Sequence, residues 1–200
     1  MSILKALHHK RALVIVGIVF FITGSVMGVL AFSTKSLPET FISSRDNAAA
    51  ISQEIVTLTN QTEKALEDAN KLDIQGKGKD ALGLINQARK KNNTAYEKAF
   101  ELSGQLKNLA ESLQNISGES QRIAYEAVAT ELALVSEFIV YTKNVNTFLD
   151  ELSSTISQNT QANRQAVQSA LQEANGGVKK INALNNQFLQ KMGEFDALVR

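Results

Sequence analysis

The spacing of apolar residues between residues 48 and 199 is the feature that most constrains the fold. These residues recur at alternating steps of three and four, which is typical of helices that each bury one stripe. The longest run keeps this step for ten intervals: Ala81, Ile85, Ala88, Asn92, Ala95, Ala99, Leu102, Leu106, Leu109, Leu113 and Ile116. The single proline in the 200 residues is Pro38, so long helices can continue without a break. The sequence therefore predicts an all-α protein.

Four stripes of this kind follow one another, separated by short polar or glycine-containing segments. Gly76 and Gly78 suit the end of the first helix, and Gly118 suits the end of the second. Four long helices joined by short turns predict an antiparallel up-down-up-down four-helix bundle over residues 41–200. A coiled coil that completes its core only in an oligomer is the alternative, because a narrow stripe rich in alanine serves either design. The predicted helices cover about residues 41–73, 80–116, 120–157 and 161–199.

Residues 12–34 form a second constraint, because these 23 residues carry no charge. At about 1.5 Å per residue, a helix of this length crosses a hydrocarbon core of roughly 30 Å. The apolar region of a cleaved leader is shorter, about 7–15 residues. The small residues Ala31 and Ser33 would suit cleavage, so a leader is the alternative. The length favours a retained transmembrane helix.

The charges before this segment predict how it lies in the membrane. Lys5, Lys10 and Arg11 precede it with no acidic residue, which favours a cytoplasmic N-terminus. We therefore expect a single-pass protein of the cell membrane, in contact with the lipid bilayer through the apolar segment. The predicted parts are a basic cytoplasmic N-terminus at 1–11, a transmembrane anchor at 12–34, a linker at 35–40 and an extracytoplasmic bundle at 41–200.

Two glycines within the predicted anchor, Gly24 and Gly28, are four residues apart and share one helix face. Small residues at this spacing let two membrane helices approach closely, which predicts a helix-dimer seam. Glycine is also common in membrane helices generally, and that interpretation stays open.

The composition argues against several classes of function. The chain has no Cys, and its only histidines, His8 and His9, precede the apolar segment. The usual nucleophile–base pairs and zinc ligand sets therefore cannot be assembled beyond it, so we expect no enzyme activity, no cofactor and no metal. The 21 basic and 20 acidic residues nearly balance, and no basic stripe interleaved with aromatic residues appears. The sequence thus predicts no nucleic-acid partner.

Polar residues interrupt the apolar stripes at a few positions. Glu131 and Asn185 are stripe residues, and folding the chain back at each turn brings them to one layer with Ala48, one helical turn from Arg45. An unpaired buried carboxylate is costly, so we expect Arg45 to reach Glu131. The layer is either a ligand-binding pocket formed by Arg45, Glu131 and Asn185 or a structural layer that fixes the helix register. Asn92 marks a second layer of the same kind.

The layout of an N-terminal anchor, the nearby Pro38 and four striped helices resembles the extracytoplasmic four-helix-bundle sensor domains of bacterial chemoreceptors. The resemblance covers nearly the whole chain in layout but includes no diagnostic motif, so it assigns no ligand-binding residue. Such receptors also have a second membrane helix and a cytoplasmic output domain, which these 200 residues lack. The resemblance therefore implies the fold and at most a sensing or adaptor role.

Three functions are compatible with these features. The first is a membrane-tethered interaction or scaffold module that binds a protein partner or a second copy of itself. The second is sensing of a small ligand at the polar layer around Glu131. The third is a spacer or bridging coiled coil of the cell envelope, because an anchored helical rod can cross a periplasmic gap.

Overall fold

The computed structural model describes residues 39–115, 118–158 and 160–199. These residues form four α-helices and one short 3-10 turn, Leu113–Asn115, and contain no β-strand. The helices are α1, Glu39–Ile74; α2, Gly78–Ser112; α3, Gly118–Ser157; and α4, Gln161–Val199. The prediction of an all-α protein with four helices is confirmed for this part of the chain.

The predicted transmembrane anchor at 12–34, with Gly24 and Gly28, lies outside the described residues. Pro38 and most of the predicted linker lie outside them as well. None of the four described helices combines the length and the apolar character needed to cross a bilayer.

The end of α1 shows why the chain turns where it does. Gly76 has a φ of 76°, a left-handed conformation that glycine adopts without a steric penalty. The N–H of Lys77 donates to the carbonyl of Leu72 at 2.9 Å, and the N–H of Gly76 donates to that of Asp73 at 3.0 Å. This pair of hydrogen bonds is the Schellman motif, which satisfies the last free carbonyls of a helix. Gly118, with a φ of 77°, marks the second turn.

The described helices contribute to two compact units. The first unit comprises residues 57–96 and 140–179, and the second comprises residues 39–56, 97–139 and 180–199. Each unit contains one segment of every helix, and each has its own buried core.

Contacts in the second unit fix the direction of neighbouring helices. The ammonium of Lys180 lies 3.5 Å from the Glu137 carboxylate, and that of Lys191 lies 2.9 Å from the Glu126 carboxylate. Eleven residues forward along α4 thus correspond to eleven residues backward along α3. The segments of α3 and α4 in this unit are therefore antiparallel.

In the first unit, α2 runs beside α3 in the same antiparallel sense. Arg89 forms an ion pair with Asp150, and Asn92, three residues later on α2, contacts Asn146, four residues earlier on α3.

The backbones of α3 and α4 approach closely at Gly177 on α4. A Cβ added at this glycine would lie 3.4 Å from the Cβ of Tyr141 on α3.

The stripe positions predicted for α2 and α3 are buried wherever the structure describes them. On α2 the alanines at the stripe are at most 1% exposed, which lets neighbouring helices approach closely: Ala81, Ala88, Ala95 and Ala99. On α1 the buried stripe is shifted, because Thr59 and Leu66 are buried where Leu58 and Ala65 were expected. Burying leucine in place of alanine removes more apolar surface from water at the second position, whereas at the first position a threonine is buried in place of a leucine.

Candidate functional site

Glu131 is the one carboxylate buried in the core of the second unit among the described residues. Its place on α3 follows from the stripe, because Ala127 and Leu134 on the same face are also buried. The side chain is 5% exposed, and burial alone raises the pKa of Glu131 to about 8. No neighbouring charge contributes to this shift. The carboxyl is therefore mostly protonated and uncharged at neutral pH.

Asn185 on α4 lies at the same level of the second unit as Glu131. The pairs of Lys180 with Glu137 and of Lys191 with Glu126 bracket this level, and interpolation between them aligns Glu131 with residue 186. Asn185 is 6% exposed, and its Oδ1 has no hydrogen-bond partner. Both residues are thus buried polar groups within one helical turn of each other along the axis.

Ser52 on α1 is a third member of this layer. The rings of Phe41 and Phe195 lie 6.1 Å apart, which sets the level of α1 against α4 in the second unit. Ser52 lies eleven residues after Phe41 on α1, and residue 184 lies eleven residues before Phe195 on α4. These two positions are therefore at the same level. Ser52 is 1% exposed, and its Oγ has no hydrogen-bond partner. We call Ser52, Glu131 and Asn185 the polar layer.

Arg45 does not join this layer. Its guanidinium is buried but binds the neighbouring Asp46, with Nη2 at 2.7 Å and Nε at 3.1 Å from the same carboxylate oxygen. The Phe41–Phe195 contact aligns Arg45 with residue 191, about 9 Å along the axis from Asn185 at 1.5 Å per residue. The expected pairing of Arg45 with Glu131 is therefore not formed, and Arg45 is not a cause of the raised pKa of Glu131.

Ser52 was not predicted from the sequence, although a weak signal was present. Ser52 follows Ile51, and both are buried because the stripe on α1 is two residues wide at this point. A serine beside a stripe position is usually exposed, so only the rotation of α1 shows that it faces the core.

The second layer predicted from the sequence, at Asn92, lies in the first unit, and the Asn92 amide group donates two hydrogen bonds. The Nδ2 of Asn92 donates to the carbonyl of Thr142 at 2.7 Å and to Oδ1 of Asn146 at 2.9 Å. The Nδ2 of Asn146 in turn donates to Oδ1 of Asn93 at 2.7 Å. A buried amide with these partners fixes how α2 and α3 align, which is the structural interpretation of such a layer.

The polar layer supports hydrogen bonding and proton binding. It contains one hydroxyl, one carboxyl and one amide, and residues 39–199 include no histidine that could activate the serine. Within the described ranges, no cluster of three or more His, Cys, Asp or Glu side chains is arranged to hold a metal ion. The groups of the layer can therefore exchange a proton and form hydrogen bonds.

Comparison with protein-family models, curated proteins and solved structures finds no match for this chain. The similarity to chemoreceptor sensor domains stays a prediction. Function is inferred below from the residues of this chain alone.

Proposed function

We propose that the chain is a single-pass membrane protein whose helical bundle acts as an extracytoplasmic interaction or scaffold module. This proposal rests on one observation, that the apolar stripes of the helices are buried within each unit. The largest fully buried side chains are leucine, isoleucine and phenylalanine, and the ion pairs that lysines form lie on the outer faces. Recognition of another molecule is then a property of these outer faces.

The outer faces carry a few large apolar side chains that suit contact with a protein. Phe100 on α2 is 52% exposed, and Val140 on α3 is 50% exposed. Aromatic residues with an apolar surround are frequent anchors of protein interfaces. The proposed partners are the lipid bilayer, through residues 12–34, and a protein or a second copy of the chain on these faces.

The anchor and its orientation are tested by labelling single cysteines, which is clean because the chain has no native Cys. Gln158→Cys places a thiol at an exposed position between α3 and α4, and Ser2→Cys places one in the predicted cytoplasmic segment. In intact cells, a membrane-impermeant maleimide should label the first variant, and it should label the second only after permeabilisation. The reverse pattern would overturn the proposed orientation, and loss of the protein from the membrane fraction would overturn the anchor.

The interaction role is tested by photo-cross-linking in native membranes. A photoreactive phenylalanine analogue replaces Phe100 or Val140, and the exposed polar position Gln87 serves as the matched control. A discrete product from an apolar position and none from the control supports the proposal, and a product of twice the chain mass identifies a second copy. The absence of any product from both apolar positions counts against an interface on these faces.

Small-ligand sensing is the second candidate, and the polar layer favours it. A buried Oδ1 of Asn185 without a partner is costly, and a bound polar molecule would satisfy it. A screen of small polar compounds by thermal unfolding, with Asn185→Leu as the matched variant, tests this candidate. A compound that stabilises the wild type and not the variant would support sensing, and a screen without such a compound would count against it.

A further inference from the structure

The core of the second unit contains an amide oxygen without a hydrogen-bond partner. The Oδ1 of Asn185 accepts no hydrogen bond although the residue is 6% exposed. An amide oxygen withdrawn from water without a donor is destabilising, so native cores rarely leave one unpaired. Two other groups lie at the same level, the hydroxyl of Ser52 and the carboxyl of Glu131.

The carboxyl of Glu131 is a donor only when it carries a proton. An ionised carboxylate accepts hydrogen bonds and cannot donate one, whereas the protonated form has one O–H. The pKa of Glu131 is raised by burial to about 8, so the protonated form is the one that the core holds at neutral pH. The proton of Glu131 and the unpaired oxygen of Asn185 therefore complement each other.

The charged side chains around the second unit pair with one another. On α1, Arg45 binds Asp46. Lys98 on α2 binds Glu54 and Glu101, and Lys107 lies 4.0 Å from Glu111. The charged groups that α3 and α4 add at this level form the ion pairs Lys180–Glu137, Lys191–Glu126 and Lys191–Glu194. None of these groups contributes to the state of the Glu131 carboxyl.

We propose that Glu131 is a proton-controlled latch of the second unit. With its proton, the neutral carboxyl remains in the core and donates a hydrogen bond to Oδ1 of Asn185. Loss of the proton leaves a negative charge in the buried core without a cation beside it, so the carboxylate moves toward water and the packing of this unit loosens. The latch does not depend on the proposed interaction role, and it is an alternative to small-ligand sensing because both would use the same oxygen of Asn185.

The state of Glu131 is measured directly on the full 200-residue chain in lipid nanodiscs. The carboxyl carbons of glutamate, labelled with carbon-13, are followed by NMR from pH 4 to pH 9, and the Glu131 signal is assigned from its absence in Glu131→Gln. We expect this signal to titrate well above the other glutamates. A Glu131 carboxyl that titrates among the exposed glutamates would overturn the proposal, whatever the folding of the variant.

The loosening is measured by amide hydrogen exchange on the same samples. Exchange that requires opening of the second unit should rise by about tenfold per pH unit beyond its intrinsic pH dependence, because opening is linked to the loss of one proton. The first unit provides an internal reference, and Glu137→Gln, on the same helix but in a surface ion pair, is the matched control. Glu131→Gln should abolish the pH effect in the second unit, and Glu137→Gln should retain it. An equal effect in both units, or its persistence in Glu131→Gln, would overturn the latch.

Discussion

Replacing Glu131 with glutamine should make the protein less sensitive to pH and more stable at neutral pH. Glutamine has nearly the same shape and keeps a donor for Asn185, but it has no proton to lose. The folded protein holds the Glu131 proton up to about pH 8, whereas a glutamate in the unfolded chain loses its proton near pH 4.5. Between these values the folded state binds more protons than the unfolded state, so the free energy of unfolding falls as the pH rises.

The magnitude follows from this difference in proton binding. One proton contributes about 1.4 kcal/mol per pH unit within the window, so the wild type should lose up to about 3 kcal/mol between pH 5 and pH 7.5. The loss levels off above the pKa of the folded state. Glu131→Gln should match the wild type near pH 5 and exceed it by up to about 3 kcal/mol at pH 7.5.

The assay is urea unfolding of the full chain in a mild detergent, followed by far-ultraviolet circular dichroism at several pH values. The helix signal is suitable because the chain has no tryptophan. Carboxylates whose pKa is lowered by surface partners, such as Glu119 beside Arg122, are common to both proteins and cancel in the difference. Comparable urea slopes would show that both proteins expose the same surface. Parallel pH profiles of the two proteins, or a less stable variant at pH 7.5, would refute the reasoning.

Four further predictions use the same unfolding assay. Gly104→Ala should raise the free energy of unfolding by about 1 kcal/mol, because an added Cβ meets no atom within 4 Å and alanine favours the helix. Gly76→Ala should lower it by about 1 kcal/mol, because the φ of 76° is strained for alanine. Asn92→Leu should lower it by about 1–3 kcal/mol, because both hydrogen bonds that the Asn92 amide donates to α3 are lost. Phe138→Ala should lower it by about 3–5 kcal/mol. Phe100→Ala, which truncates the same residue type at a position that is 52% exposed, should change it by less than about 0.5 kcal/mol. An equal effect of the two phenylalanine substitutions would contradict the assigned core.

The helices and their turns were predictable because their signals are local. The step of three and four on α2 is uninterrupted, and every described stripe residue on that helix is buried. Gly76 and Gly118 were expected at helix ends, and both have the positive φ that explains a glycine there. These features depend on the chemistry of neighbouring residues, which a single sequence contains.

The membership of the polar layer was only partly predictable, because it depends on how α1 is rotated about its axis. Adjacent positions on a helix differ by about 100°, so a stripe that is one residue out of phase still reads as periodic. In the first unit Leu66 is buried where Ala65 was expected, and in the second unit Ser52 is buried beside Ile51. Arg45 is also buried, but its partner is the adjacent Asp46, a pair that stripe spacing alone does not reveal.

The contrast between the two buried polar groups indicates where a bundle of this kind can respond to a signal. Asn92 in the first unit donates two hydrogen bonds to α3, so any rearrangement there must break both of them. Asn185 in the second unit has a buried oxygen without a partner, and Glu131 at the same level is held uncharged by burial alone. A fully paired polar group stabilises one alignment, whereas a group that needs a removable proton stabilises an alignment only while the proton is bound. Sensitivity to the surroundings is therefore expected in the second unit, which also contains the residues that follow the predicted membrane anchor.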